Sequence, residues 1–440
     1  MNWSTPDSAT VGSSDRAGWR SEARLGKPTV ARVARVELGI FLLALALRLA
    51  WVGYVQHRGG ELFGPDAKSY DTLAVSLLEG KGLQKWDYEG LFSDPKQSLI
   101  VYSFRPPFLP IVLAGVYGVA GHHFWVARVV MALLSAATCV VVARIARRLF
   151  GGRAGVVAGL LMAVYPKLIY YSGDIVTETV YIFLLALAVA MLFAAGEAAH
   201  GPWRWPVAGA LMGLATLTRS ALLAFLPFAA LWVLIVRRQK ARAVGEAALL
   251  ALGFLAAMAP WWVRNAAVHA SFVPATTEGG LTFWVTNWEQ ADGGGHVDHT
   301  SQRGKFDRLS EVEIDRKFYR LGWAYVRGHP GHFLRLAATK FVRFWRLWPH
   351  ASEPSVGVAA ALVAGLTFAP VLLLAIWGAL LSRRQWRPLL LLYLLIGYYT
   401  ALHMVFMAIT RYRLPLEPFL IILAAHGLVS LCERGGPAPP

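Results

Sequence analysis

The chain has 440 residues, of which 56% are hydrophobic and only 16% are charged, whereas roughly 25% of the residues in a soluble globular protein carry charge. The mean hydropathy is +0.47, and the apolar residues form long blocks, which excludes a soluble enzyme, a disordered chain and a fibrous one. The net charge of +17 does not indicate a nucleic-acid ligand, because many basic residues lie in short connections between apolar blocks, where they orient a membrane protein.

The chain begins with a polar segment. Residues 1–31 are rich in Ser, Gly, Asp and Arg and have no apolar periodicity, so we predict a disordered tail, placed in the cytoplasm by the basic residues before the first apolar block. That block starts too late for a signal peptide and lacks a small-residue cleavage site, which indicates an uncleaved span. Residues 435–440 are predicted to form a second disordered tail.

Long apolar blocks follow, and a helix needs about 20 apolar residues to cross a membrane. They predict one all-α polytopic membrane domain over residues 32–434 with about ten spans. With that number, three arginine-rich connections near residues 144–153, 237–242 and 383–387 all lie in the cytoplasm. The predicted spans are 36–55, 124–147, 152–172, 176–195, 205–218, 220–236, 244–262, 356–381, 388–404 and 414–432.

One short apolar segment decides this count. Residues 107–121 are headed by Pro106, Pro107 and Pro110, and a crossing here would turn the 144–153 arginines outward, against the positive-inside rule. We therefore predict an interfacial or re-entrant helix.

Two long outer loops, 57–123 and 263–355, each contain an amphipathic pattern. Residues 66–79 and 332–348 repeat apolar positions at helical spacing. Such helices lie in the headgroup plane, where they either serve as plain anchors or shape an active site at the membrane surface.

Ionisable residues near span ends are costly, so each suggests a function. Several converge at one depth on the outer side and predict a site with a few carboxylates and an excess of arginine. The planar guanidinium suits the phosphate of a polyprenyl-phosphate headgroup, which cannot leave the membrane. These residues are Asp66, Asp71, Arg105, Asp174, Glu178, Arg219, Arg264, Arg411 and Arg413.

Structural alternatives accompany the main candidates. Asp66 could be a general base for an acceptor hydroxyl, but an Asp at a helix start is also a favoured N-cap, and spacing alone favours the cap. Glu178 is equally well explained as a functional residue or as a first-turn acid stabilised by the helix dipole. Arg105 and Arg219 are also placed to snorkel toward the membrane surface.

Six motifs in order make the chain resemble bacterial GT-C glycosyltransferases of the protein O-mannosyltransferase and lipid A aminoarabinose transferase family (glycosyltransferase family 39-like), over residues 36–432. The motifs are Gly64-Pro-Asp66-Ala-Lys-Ser-Tyr70-Asp-Thr-Leu-Ala74, Arg105-Pro-Pro107, Asp174-Ile-Val-Thr-Glu178, Leu217-Thr-Arg219, Pro260-Trp-Trp-Val-Arg264-Asn265 and Arg411-Tyr-Arg-Leu-Pro415-Leu-Glu-Pro418.

The resemblance implies a GT-C fold with juxtamembrane helices on the outer face and roles for single residues. Asp66 corresponds to the family's catalytic Asp, which favours the base over the cap, and Tyr70 to the aromatic that follows it. Glu178 matches a second acidic position where relatives tend to carry Asp. Arg105 replaces a Lys near the phosphate. Ala67 stands in place of the second acid of a common pair, which argues against a eukaryotic-type protein mannosyltransferase.

The resulting hypothesis is an inverting transfer of a sugar from a polyprenyl-phosphate donor to a hydroxyl at the outer face of the cell (inner) membrane. The acceptor is a glycolipid, a polysaccharide or a protein, and no nucleic acid takes part. No cofactor is required, although some relatives use a divalent metal. The predicted catalytic residues are Asp66 and Glu178, and the predicted substrate-binding residues are Tyr70, Arg105, Arg219, Arg264, Asn265 and Arg411.

Two other classes of protein remain as alternatives. A secondary transporter or lipid flippase of the cell envelope would have paired broken helices in two related halves and ionisable residues at mid-membrane, and the sequence contains no such repeat. A non-enzymatic envelope protein would leave the outer-face charges unconnected.

Overall fold

A computed structural model describes residues 30–61, 64–86, 100–196, 201–294, 309–349 and 357–435, and nearly all of this part of the chain is helical. The all-α membrane fold predicted from the sequence is thereby confirmed. A two-residue antiparallel ribbon, β1 (Lys85–Trp86) with β2 (Ile100–Val101), accompanies the helices. Residues 1–29 and 436–440, and with them most of both predicted tails, lie outside the described residues. The first helix begins at Val30, so the last two residues of the predicted N-terminal tail are helical.

Within the described residues, seven helices are long and apolar enough to cross a membrane. Two of them, the sixth and the seventh, are each preceded by a short 3₁₀ turn. In chain order, α1 is Val30–His57, α4 is Phe124–Phe150, α7 is Thr177–Ala195, α10 is Lys240–His269, α14 is Val358–Leu381, α15 is Trp386–Val405 and α17 is Glu417–Gly435.

A bent pair, α5 (Gly152–Val164) and α6 (Pro166–Ser172), whose axes differ by 55°, forms either a broken eighth span or a re-entrant loop. Pro166 disfavours a helical conformation for the residue before it, so Tyr165 is extended and the helix breaks there. The buried Arg48 of α1 donates to the carbonyls of Met162 and Ala163. It thus satisfies acceptors that the break leaves without helical partners.

The predicted count of ten spans exceeds the seven or eight that length and composition support in the described residues. The two remaining segments are helical but short: α8 (Arg204–Thr218) has 15 residues, and a 3₁₀ turn (Ser220–Phe225) followed by α9 (Leu226–Val236) forms the next. Arg219 separates them in an extended conformation. This break places the Arg219 side chain at a helix end.

The segment that decided the predicted count forms α3 (Phe108–Ala120), a helix of 13 residues. At 1.5 Å per residue it is about 20 Å long, shorter than the roughly 30 Å of hydrocarbon in a bilayer. This length agrees with the prediction of an interfacial or re-entrant helix that does not cross the membrane.

Short helices form in the two predicted outer loops. α2 (Gly64–Leu78) and α13 (Pro330–Trp345) lie where the amphipathic patterns predicted them. Two further helices, α11 (Gly279–Val285) and α12 (Glu311–Gly328), are additional to those predicted, although α12 begins with a capping box formed by Ser310 and Glu313. A last short helix, α16 (Thr410–Arg413), precedes α17. The small apolar cluster between α11 and α12 includes Trp284 and Phe318.

Candidate active site

A cavity of about 360 Å³ lies among the short helices and the helix ends. Its apolar lining comes from the 3₁₀ turn after Arg219 and from the end of α15. Its charged lining comes from five separate parts of the chain. The apolar lining includes Ala221, Leu223, Leu402, Phe406 and Met407, and the polar lining includes Asp66, Tyr70, Arg105, Arg219, Glu278 and Arg411.

Asp66 is the third residue of α2, and its carboxylate is held by two arginines. Arg105 Nη2 donates to Oδ1 over 2.7 Å, and Arg411 Nη1 donates to Oδ2 over 2.7 Å. The helix begins two residues earlier, at Gly64, so Asp66 is not its N-cap. Both oxygens therefore take part in the ion-pair cluster, and the side chain remains 28% exposed.

Glu178 lies behind Arg411 and is completely buried. Arg411 donates to both of its oxygens, and Arg219 Nη1 donates to Oε1 over 2.6 Å. As the second residue of α7, the carboxylate is also favoured by the positive end of the helix dipole. Glu178 does not line the cavity. The first-turn position agrees with the helix-dipole interpretation, and the contacts make Glu178 a positioning residue for two arginines rather than the cavity residue that the catalytic prediction requires.

Glu278, which the sequence analysis did not single out, is a third carboxylate of this cluster. Arg105 Nη1 donates to its Oε1 over 3.0 Å, so one guanidinium joins Glu278 to Asp66. The sequence signal was an acid before two glycines, Glu278-Gly279-Gly280, in a polar outer loop. With Glu278 the described cluster contains three carboxylates and three arginines, so the predicted excess of arginine is not found.

The pKa values of the two cavity carboxylates, Asp66 and Glu278, are shifted in opposite directions. Burial would raise the pKa of Asp66, but Arg105 and Arg411 outweigh burial and hold that pKa well below its usual value. Burial also raises the pKa of Glu278, and here Arg105 offsets the effect only in part. The difference follows from the number of arginine contacts that each carboxylate receives.

Aromatic rings lie close to the guanidinium groups of Arg105 and Arg219. The Arg105 guanidinium lies 5.8 Å from the ring centre of Tyr70, and the Arg219 guanidinium 5.0 Å from that of Tyr412. Burial raises the pKa of Tyr70, so its hydroxyl stays neutral. These contacts favour a guanidinium partly removed from water.

Two predicted substrate-binding residues, Arg264 and Asn265, do not line the cavity. Arg264 donates to Ser103 Oγ over 2.8 Å and to the carbonyl of Leu83, and Ser103 Oγ donates to Asn265 Oδ1. They hold the segment that leads to Arg105. Their motif at the end of α10 predicted substrate binding, whereas the structure places both residues outside the cavity lining, against Ser103.

Glu311 of α12 ties two site-bearing segments together. It accepts hydrogen bonds from the backbone N–H groups of Tyr102 and Ser103 and from the Thr277 hydroxyl. The Thr277 N–H donates in turn to the Ser103 carbonyl over 3.0 Å. Arg105 and Glu278 are therefore carried by two segments with common hydrogen bonds.

The remaining charges that the sequence placed at the same depth lie outside the cavity. Asp71 accepts from Tyr117 and contacts His122. Arg413 pairs with Glu417, and Asp174 accepts from the N–H of Ile175. In the part of the chain that the structure describes, no three His, Cys, Asp or Glu side chains come together as a metal site.

Residues 104–263 match the family model described as dolichyl-phosphate-mannose-protein mannosyltransferase. The matched range contains Arg105, Glu178 and Arg219 but neither Asp66 nor Arg411. No curated protein sequence matches the chain.

Solved structures match nearly the whole chain. The apo oligosaccharyltransferase of Archaeoglobus fulgidus has a TM-score of 0.58 at 15% identity, with 92% of this chain and 51% of that chain covered. The oligosaccharyltransferase AglB of that organism, in complex with an inhibitory peptide and a dolichol-phosphate, has a TM-score of 0.54 at 14% identity, with 93% and 52% covered. The chain thus spans about half the length of these archaeal proteins.

A third match is ArnT from Cupriavidus metallidurans bound to undecaprenyl phosphate, with a TM-score of 0.41 at 17% identity and 92% and 78% of the two chains covered. The archaeal matches identify the fold, and the family model matches the sequence around three residues of the cluster. Sequence similarity over residues 104–263 and fold similarity over nearly all of the chain together confirm the predicted resemblance to GT-C glycosyltransferases.

Proposed function

We propose that this protein transfers a sugar from a polyprenyl-phosphate-linked donor to an acceptor hydroxyl at the extracytoplasmic membrane face, with inversion at the anomeric carbon. One observation carries the proposal: Arg105 and Arg411 each donate a hydrogen bond to one carboxylate oxygen of Asp66, in a cavity that also has an apolar lining. Arginines placed to donate hydrogen bonds to two neighbouring oxygens can also bind a phosphate group.

The donor phosphate would bind these arginines alongside Asp66. Arg105 and Arg411 are 12% and 24% exposed, so their guanidinium groups can be reached from the cavity. The isoprenoid chain would lie against the apolar lining near Leu223, Leu402 and Phe406. A dolichol-phosphate is also part of the AglB complex with a similar fold.

In the reaction, the acceptor oxygen attacks the anomeric carbon, and the bond from that carbon to the carrier phosphate oxygen breaks. The bonding electrons remain on the phosphate, where the arginines stabilise the charge. The acceptor proton passes to a carboxylate of the cavity. Asp66 is the candidate that the sequence predicts for this role.

The distribution of charge supports the proposed face of the membrane. Glu178 lies in the first turn of α7 and Arg264 in the last two turns of α10, so both helices reach the cavity region at one end. The arginine-rich connections near residues 144–153 and 237–242 adjoin the opposite ends of these helices or of their neighbours. Because such connections prefer the cytoplasm, the cavity is assigned to the extracytoplasmic side.

The test is transfer in proteoliposomes supplied with polyprenyl-phosphate sugars and a labelled hydroxyl acceptor. We expect transfer by the wild type and a loss of at least about 100-fold in D66N. D71N is the matched control, because Asp71 lies on the same helix but outside the cavity. A wild-type protein inert toward every donor and acceptor class, or a D66N variant as fast as wild type, would overturn the proposal.

A further inference from the structure

We propose that Glu278 is a second catalytic carboxylate, which binds the acceptor hydroxyl and takes its proton while Asp66 holds the arginines for the donor phosphate. This assignment rests on the proposed function and divides its chemistry between two carboxylates. It concerns a residue outside every motif on which the family resemblance depends.

The first argument is geometric. Glu278 and Asp66 both line the cavity and bind different nitrogens of the same guanidinium, that of Arg105. Asp66 accepts a charged hydrogen bond on each oxygen, whereas Glu278 accepts one, on Oε1, from the residues that the structure describes. Oε2 of Glu278 is therefore the carboxylate oxygen better placed to accept a bond from an entering hydroxyl.

The second argument is electrostatic. The charged groups that act on Glu278 are Arg105, Asp66, Lys85 and Arg219, and burial among them raises its pKa. The pKa of Asp66 lies far below its usual value because two arginines contact it. A general base is most effective when its pKa lies near the operating pH, and carboxylates with opposite shifts in one site take different roles.

Donor binding would strengthen this division. The described cluster pairs three arginines with three carboxylates, and a phosphate adds negative charge to it. Added negative charge favours protonation of the carboxylate that already has the higher proton affinity, which is Glu278. The site would thus become more basic at Glu278 when the donor is in place.

The backbone around Glu278 is fixed firmly enough to hold a catalytic group. Thr277 is bound to Ser103 and Glu311. Gly280 packs so closely on α12 that an added Cβ would lie 2.1 Å from the carbonyl oxygen of Asp315. Glu278 therefore stands at the start of α11 on a segment that cannot shift freely.

The proposed step is balanced. The acceptor O–H bond breaks as the oxygen forms its bond to the anomeric carbon, and the proton moves to Oε2 of Glu278. The electron pair of the breaking bond between carbon and carrier oxygen stays on the phosphate. Glu278 returns the proton to water after the product leaves.

The experiment measures kcat and donor KM against pH for wild type, E278Q, E278D and D66N in proteoliposomes. We expect E278Q to lower kcat by at least about 100-fold, with little change in donor KM and without the acidic limb of the wild-type pH profile. E278D should recover part of kcat and move that limb. D66N should instead lose transfer through a higher donor KM, so that its loss is seen at subsaturating donor. E289Q, an exposed change in the same outer loop, is the matched control.

Two results would overturn the inference: an E278Q variant that keeps kcat within about threefold of wild type, well short of the loss expected for a general base, or one that changes only donor KM with the pH profile intact. Thermal stabilisation of E278Q by polyprenyl phosphate checks that its donor site is folded, and E278D supplies the pH test if E278Q does not fold. A wild type without transfer activity would refute the proposed function itself, whereas an active wild type with an active E278Q refutes only this assignment.

Discussion

Arg411 and Asp66 are 345 positions apart in the chain, yet Arg411 Nη1 donates to Asp66 Oδ2 over 2.7 Å. The same guanidinium binds both oxygens of Glu178. It therefore connects the first outer loop, the start of α7 and the segment before α17. These contacts form only when all three segments are correctly packed together, so the candidate site depends on the whole fold.

Replacing Glu178 by Gln should destabilise the protein strongly. The change leaves Arg219 and Arg411, which are 16% and 24% exposed, without their shared buried carboxylate, and breaking a buried ion pair costs about 3–5 kcal/mol. We expect a clearly lower thermal unfolding midpoint for E178Q in detergent, together with weaker donor binding. E79Q, which removes an exposed pair with Lys81, should cost less than about 1 kcal/mol. Equal effects of the two substitutions would contradict this interpretation.

Arg411 should not be replaceable by Lys. Three of its nitrogens bind two carboxylates, whereas the ammonium of Lys is a single compact charge without the planar fork. We expect R411K to lower transfer by about 100-fold, the cost of losing one aligned donor to a developing oxyanion. Initial rates in proteoliposomes provide the measurement.

Arg264 supplies the contrast to Arg411. It lies outside the cavity and binds Ser103 and the carbonyl of Leu83. We expect R264K to affect the stability of the 102–105 segment more than donor KM. Should R264K raise donor KM as much as R411K does, Arg264 contacts the donor directly, as the sequence predicted.

Asp315 should make stability depend on pH. Burial raises the pKa of this carboxyl, which accepts from the Gly280 N–H, to about 6. The folded state then binds more protons than the unfolded state between about pH 4 and 6, so this group's contribution to stability is present below pH 4 and is lost as pH rises through 6.

An uncharged replacement at position 315 tests that sign. Asn keeps an acceptor for Gly280, so D315N should be more stable than wild type at pH 8 by on the order of 1 kcal/mol, because partial exposure screens the effect. The difference should vanish near pH 4, as measured by thermal unfolding across pH. A constant difference at all pH values would show that Asp315 does not titrate as described.

Glu311 should act on the site from a distance. E311A removes an acceptor shared by Tyr102, Ser103 and Thr277, and each buried donor left unsatisfied costs about 1–3 kcal/mol. We expect lower stability and a higher donor KM, since Arg105 follows this segment. E313A, which removes only the capping-box acid of the same helix, should lower stability without changing donor KM, and a rise in KM there would refute the role of Glu311.

The sequence by itself determined the elements that depend on local hydropathy. Apolar blocks located the helices because each must hide its surface from water, and the periodicity of residues 66–79 and 332–348 located α2 and α13. The capping box at Ser310 was also readable and would have revealed α12. The family motifs named Asp66, Tyr70, Arg105, Glu178, Arg219 and Arg411, which the structure brings together in one cluster.

Only the tertiary structure decided which charges meet. Arg264 and Asn265 bind Ser103 and lie outside the cavity. Glu278 lines the cavity because packing of α11 on α12 sets the direction of residues 274–280. An ion pair across hundreds of residues leaves no local trace, since its energy depends on distance in space and on burial. Hydropathy along the chain therefore predicts where a helix lies, whereas the partner of each arginine is determined by how the helices pack.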